Sequence, residues 1–130
     1  MRRQLWDDVS DAQHFAEIDA VLNNQNSWCY VARGARGAYL GFAEICIRDY
    51  ANGCTEQPVP FLEGIWIDAQ HRRSGVGRMI IDKTTQDLID AGFKELCSDA
   101  FETNHHSHRA HENWGFEETM RVIYFRKVLE

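Results

Sequence analysis

The stretch that most restricts the fold runs from Phe61 to Gly92. FLEGIWID reads as a strand, QHRRS as a short basic turn, and GVGRMIIDKTTQDLIDAG as a helix. The last segment places Val76, Ile80, Thr84, Leu88 and Ala91 along one helical face, and Gly92 stands where a left-handed cap ends such a helix. A strand that passes directly into an amphipathic helix needs a sheet for that helix to cover, so the class is α/β.

The remaining chain reads in the same way. Ser10 and Gln13 have the spacing of a capping box, and Phe15, Ile18, Val21 and Leu22 follow at helical intervals. SWCYVAR, the turn GARG and AYLGFAEICIRDY predict a β-hairpin. ANGCTEQPVP reads as a loop, with Asn52-Gly53 as a turn and Pro58 and Pro60 as breakers. KELCSDA reads as a short strand. NHHSHRAHENWG is a helix capped by Asn104 and ended by Gly115, and TMRVIYFRKVL is a closing strand. The expected product is one mixed α/β domain over residues 1–130, with helices packed on a central sheet.

Charge narrows the partners. The 130 residues carry a formal net charge of −6. That balance disfavours general nucleic-acid binding, whose affinity rests on attraction to phosphate, and suits a cationic ligand. Apolar runs are strand-sized, so no membrane span is expected, and the start lacks the apolar stretch of a signal peptide. Cys29, Cys46, Cys54 and Cys97 form no CxxC pair; the expectation is buried free thiols in a cytoplasmic protein.

The basic turn has its own chemistry. The first N–H groups of a helix lack partners within it, and its aligned peptide dipoles add partial positive charge there. Ser74, Gly75, Val76 and Gly77 open the helix, with two positions free of a Cβ, and Arg72, Arg73 and Arg78 surround them. This suits an anion, the plainer alternative being a solvated basic loop before a helix. It is not a GxxxxGK[ST] loop, and it lacks the third glycine of GxGxxG.

Arg72-Arg73-Ser74-Gly75-Val76-Gly77 resembles the R/Q-x-x-G-x-G/A loop of the GNAT N-acetyltransferase superfamily. FAEICIRDYANGC, PVPFLEGIWI, ELCSDAFETNHHSHRAHENWGFEET and RVIYFRK, with QLW near the start, resemble the aminoglycoside 6′-N-acetyltransferases within it. The resemblance implies a central, mostly antiparallel sheet flanked by helices, with the family's first strand missing from this chain. It also implies acetyl-CoA as donor, an aminoglycoside as acceptor, direct transfer in a ternary complex, and a homodimer joined through the C-terminal strands. On this basis the loop residues Arg72 to Arg78 hold pyrophosphate, Ile65, Trp66 and Ile67 pair with the pantetheine arm, and Asn104 touches it.

Amine acetylation requires loss of an ammonium proton, polarisation of the thioester carbonyl and protonation of the leaving thiolate. The resemblance gives Asp99 the amine-facing carboxylate role. It gives Glu63 a part in holding the acceptor or positioning water. Trp6 and Tyr50 match aromatic substrate contacts, Asp7 and Glu102 would enlarge an acidic cleft, and His111 stands where many relatives carry the acid. Each has a plainer alternative: a loop carboxylate for Asp99, solvation for Glu63, Asp7 and Glu102, packing for Trp6 and Tyr50, a helix surface for His111. His105 and His108, one turn apart, are read as a polar face rather than metal ligands. Rival functions are acetylation of a polyamine or protein terminus, and a coenzyme-A-binding module without turnover.

Overall fold

The structure is a computed structural model and describes residues 1–130. Its centre is an antiparallel sheet of β1 (Ser27–Arg33), β2 (Tyr39–Arg48) and β3 (Val59–Ile67), in that order. Four α-helices surround it: α1 (Arg2–Leu5), α2 (Asp11–Asn23), α3 (Val76–Asp90) and α4 (His105–Asn113). A 3-10 turn, Ala69–His71, leads from β3 towards α3.

The middle strand organises both layers. Successive β2 residues face opposite sides of the sheet. Ala43 and Ile45 join Ala32, Leu62, Val76, Ile80 and Ile81 in the core beneath α3. Phe42 and Glu44 face the other way, towards Trp6 and Arg2. Thr84 is buried in α3, and its hydroxyl donates to the Ile80 carbonyl at 2.8 Å. Tyr30 ties β1 to α3 by donating to Asp87 at 3.0 Å.

The second layer is held by charge. Arg2 donates through Nε to Glu44 at 2.7 Å and through a terminal nitrogen to Glu17 at 2.5 Å. The Arg2 side chain is 14% exposed and that of Glu44 9%. Arg2 also meets His14 Nδ1 at 3.0 Å. A guanidinium only donates, so Nδ1 accepts and Nε2 carries the proton to the Trp6 carbonyl, 2.9 Å away. This network fixes α1 against α2 and β2.

Helix ends follow the residues that mark them. Ser10 accepts from Gln13 N at 3.2 Å, as the capping pattern predicts. Asn104 accepts from Ser107 N at 3.1 Å. At Gly92 and Gly115 the chain makes the paired bonds of a Schellman motif: Phe93 N to Leu88 O with Gly92 N to Ile89 O, and Phe116 N to His111 O with Gly115 N to Glu112 O.

Several expectations are corrected. The predicted strand in KELCSDA is a single bridge to β3, at Phe61 and Cys97. Residues 119–129 form no strand and are exposed, because no neighbour within the chain takes up their hydrogen bonds. Pro60 lies inside β3, where an edge strand tolerates the missing N–H, and its carbonyl accepts from Cys97 N at 2.9 Å. The buried residue of α2 is His14, while Phe15 and Leu22 are exposed. α1, too short to announce itself by periodicity, was not expected.

The cysteines also depart from expectation. Cys54 and Cys97 form a disulfide, with Cα atoms 6.4 Å apart across 43 residues of sequence. The loop after β2 folds back over residues 94–97 and brings the two sulfurs together. Glu95 accepts from Thr55 N, Thr55 Oγ1 and Glu56 N, and Glu56 accepts in return from Lys94 N and Glu95 N. Cys29 and Cys46 are free, Cys29 exposed rather than buried.

Candidate active site

A bulge in β3 starts the site. Leu62 pairs with Ile45 and Gly64 with Glu44, leaving Glu63 as the extra residue. Bulges bend a strand and disrupt its ladder locally. The segment beside β3 is joined to it just before this point, by Leu62 N to Cys97 O and Cys97 N to Pro60 O. Past Leu62 the two part, and the edge of Gly64–Ile67 has no strand beside it. Ser98 and Asp99 are the first residues beyond the junction. Ile65, Trp66 and Ile67 lie along the free edge, half-buried and paired on their other side with Ala43, Phe42 and Gly41.

On one side of the parting stand the carboxylates. Arg48, at the end of β2, grips Glu63 with two hydrogen bonds of 2.8 and 2.7 Å. It lies over the Phe61 ring, 3.6 Å from the centroid. The Glu63 bonds hold the Arg48 pKa up, and the charge of Asp99 adds to that effect. Arg48 is thus hydrogen-bonded to Glu63 and also feels the charge of Asp99. Beside them opens a cavity of about 500 Å³ lined by Cys46, Ile47, Arg48, Asp49, Tyr50, Ala51 and Asn52. Tyr50 lines this cavity together with Arg48. Arg48 was not singled out from sequence; an arginine beside an aspartate at a strand end has no distinguishing pattern.

Trp6 stands over the same strand. A Cβ on Gly64 would lie 2.5 Å from its ring, so glycine is what lets the indole rest on β3. Trp6 also meets Phe42 edge-on and takes the Arg2 guanidinium over its face. Its ring is half-buried, and the contacts it makes are packing contacts. Asp7 is exposed and unpaired. Glu102 pairs with Arg121 at 3.1 Å, which compensates its charge.

On the other side stands the basic turn. Arg73 and Gly75 adopt positive φ, 62° and 87°. Gly75 caps α3 without any side chain bonding to the helix amides, and nothing lies within 4 Å of where its Cβ would be. The backbone is open there, as an anion requires. Arg72 donates to the Ile67 carbonyl at 3.0 Å, and Ser74 to His71 O. Gly77 has a different reason to be glycine. It is buried, and a Cβ would lie 2.8 Å from Trp114. Arg78 donates to Asn113 O, so this residue and Gly77 dock α3 on α4, whose N-cap is Asn104. The residues present fit the phosphate and pantetheine portions of acetyl-CoA, which the chain would consume as a substrate.

His111 faces inward from α4. Its Nε2 is 2.7 Å from Ser98 Oγ and its Nδ1 2.7 Å from Ser107 O. The other histidines take no part in this: His108 bonds Phe101 O, and His105 packs edge-on against it. No three His, Cys, Asp or Glu side chains converge as a metal-ligand set.

Comparison with known proteins agrees with this geometry. The acetyltransferase (GNAT) family model matches residues 1–116. An aminoglycoside N(6′)-acetyltransferase type 1 of Serratia marcescens is 39% identical over 130 residues, which are 99% of this chain and 89% of the relative. The crystal structure of the aminoglycoside 6′-N-acetyltransferase AAC(6′)-Ih of Acinetobacter baumannii superposes with a TM-score of 0.91 at 32% identity, covering 99% of this chain and 88% of that one. AAC(6′)-Iy, in complex with the bisubstrate analogue CoA-S-monomethyl-acetylneamine, gives 0.92 at 36% identity with the same coverage. The chain belongs to the GNAT acetyltransferase family and, within it, to the aminoglycoside 6′-N-acetyltransferases.

Proposed function

We propose that this chain, as one domain over residues 1–130, transfers the acetyl group of acetyl-CoA to the 6′-amine of aminoglycosides and so confers resistance to them. The observation that carries the reading is the Arg48–Glu63 pair where the sheet parts, with the charge of Asp99 acting on the same guanidinium. A polycationic acceptor is drawn to such a site, and its ammonium group finds an acceptor in Asp99.

Asp99 accepts the ammonium hydrogen bond and then the proton. Glu63, fixed by Arg48, orients the acceptor. A backbone N–H on the Gly64–Ile67 edge polarises the carbonyl. Arg72, Arg73, Ser74 and the open amides around Gly75 hold the pyrophosphate, while Asn104 meets the pantetheine arm. Transfer is direct.

We place the reaction in the cytoplasm. A second copy would cover the C-terminal segment, where Ile123, Tyr124, Phe125 and Leu129 are largely exposed. No helix is long and apolar enough to cross a membrane.

Asp99→Asn tests the acceptor site. It removes the base and keeps the shape. Aminoglycoside kcat/KM should fall about 100-fold, with acetyl-CoA affinity nearly unchanged. Unaltered kinetics would remove Asp99 from the mechanism.

A further inference from the structure

We propose that Ser98 is the group that hands a proton to the departing thiolate, supplied by His111 through their hydrogen bond. The inference rests on the acetyltransferase reading above and adds a residue to it.

The geometry fixes the direction of the bond. Ser107 O can only accept, so the His111 Nδ1 facing it at 2.7 Å carries hydrogen in every protonation state. Ser107 Oγ, 3.2 Å from the same nitrogen, adds a weaker contact. Nε2 is therefore the only ring nitrogen that can gain or lose a proton. It is engaged by Ser98 Oγ at 2.7 Å. A proton leaving His111 through that nitrogen passes to Ser98 first.

The extended segment sorts its side chains by side. In an extended segment alternate residues face the same side, so Asp99 shares the side of Cys97, which joins Cys54. Ser98, between them, turns the other way, to α4. That helix docks on α3 through Gly77, Trp114, Arg78 and Asn113. Ser98 thus sits on the donor side of the parting and Asp99 on the acceptor side, one residue apart. The leaving sulfur and the attacking amine must approach one carbonyl from these two sides.

The step balances. As the C–S bond breaks, its electron pair goes to sulfur, and sulfur takes the Ser98 hydroxyl proton. Ser98 Oγ takes the Nε2 proton of the His111 imidazolium. The ring is left neutral, with its remaining hydrogen on Nδ1. His111 begins the step protonated and ends it neutral. Its ring lies against Trp114 and Phe116, with centroids 5.6 and 5.1 Å away. The charged or titratable groups on the elements around it are Asp99 beside Ser98, Arg78, Asp82, Lys83, Asp87 and Asp90 of α3, and His105, His106, His108, Arg109 and Glu112 of α4 itself. None of them hydrogen-bonds or ion-pairs with the ring.

Two measurements test this. Nitrogen NMR of histidine-labelled, ligand-free protein should find neutral His111 protonated on Nδ1, with an Nε2 resonance that moves in Ser98→Ala. A neutral ring protonated on Nε2 would overturn the relay. In steady-state assays with kanamycin, Ser98→Ala should lower kcat about 100-fold, while the KM for acetyl-CoA and acetyl-CoA affinity are kept. Ser98→Thr should restore most of the rate. Wild-type kcat in Ser98→Ala would remove Ser98 from the reaction. A wild-type protein that binds acetyl-CoA but turns over no amine would instead overturn the acetyltransferase reading, and the relay with it.

Discussion

Replacing Arg2 by alanine should destabilise the chain far more than its place near the N-terminus suggests. Arg2 is the cation between Glu44 and Glu17, and its side chain is 14% exposed. Glu44, at 9%, would stay buried on the middle strand with its charge unmatched. Removing one partner of a buried pair costs about 3–5 kcal/mol, because the other charge is left desolvated. Glu17 is 38% exposed and re-solvates, so the lower figure of about 3 kcal/mol applies. Unfolding entropy for a chain this long is about 0.27 kcal/mol per degree, so Tm should fall by about 11 °C. Differential scanning calorimetry measures this. The double variant Arg2→Met/Glu44→Leu should recover most of the loss, since no buried charge remains. A Tm drop below about 4 °C in Arg2→Ala would refute the reasoning, by showing the pair to behave as a surface ion pair. Losing Arg2 also removes the cation over Trp6, so aminoglycoside KM should rise with the drop in Tm.

Gly77→Ala should cost about 1–3 kcal/mol, because the added methyl meets the Trp114 ring at 2.8 Å in a buried contact. Chemical denaturation measures the cost, and acetyl-CoA affinity should weaken as α4 is displaced. Acid stability depends on Glu95, whose carboxyl is held below the ordinary value of 4.5 by the Thr55 hydroxyl and the Glu56 and Thr55 amides. A depressed carboxylate contributes stability above its unfolded pKa and loses it as pH falls through the folded one. Unfolding followed from pH 7 downward should therefore steepen below about 4.5 in the wild-type chain and less so in Glu95→Gln.

The regular elements were legible because their signals are local. Ser10 and Gln13 mark the start of α2, Gly92 and Gly115 the ends of α3 and α4, and the SWCYVAR–GARG–AYLGFAEICIRDY pattern the hairpin. What escaped depends on register. Arg48 meets Glu63 across 15 residues because β2 and β3 pair as they do. Cys54 meets Cys97 across 43 because a loop folds back. Ser98 meets His111 only once α4 has docked. The two overcalled strands fail for a related reason: residues 94–100 and 119–129 suit a strand, but strand formation requires a paired neighbour. Phe15 and Leu22 have helical spacing, yet Arg2 and His14 decide which face of α2 turns inward.

Within the candidate site, the resemblance put Asp99, Glu63 and Tyr50 in one neighbourhood; in the structure Arg48 hydrogen-bonds Glu63 and lines a cavity with Tyr50. The sequence could not assign separate reasons to the two glycines of the basic turn. Gly75 leaves backbone open to an anion, and Gly77 admits Trp114. Nor could it anticipate that Glu102 is compensated by Arg121.

The most direct test follows thiol release from acetyl-CoA with kanamycin, with an aminoglycoside bearing hydroxyl in place of the 6′-amine, and with spermidine. The account predicts turnover with kanamycin, with the product acetylated at the 6′-nitrogen, and none above background with the 6′-hydroxy compound. Equal turnover of both aminoglycosides, or turnover of spermidine but not kanamycin, would contradict it.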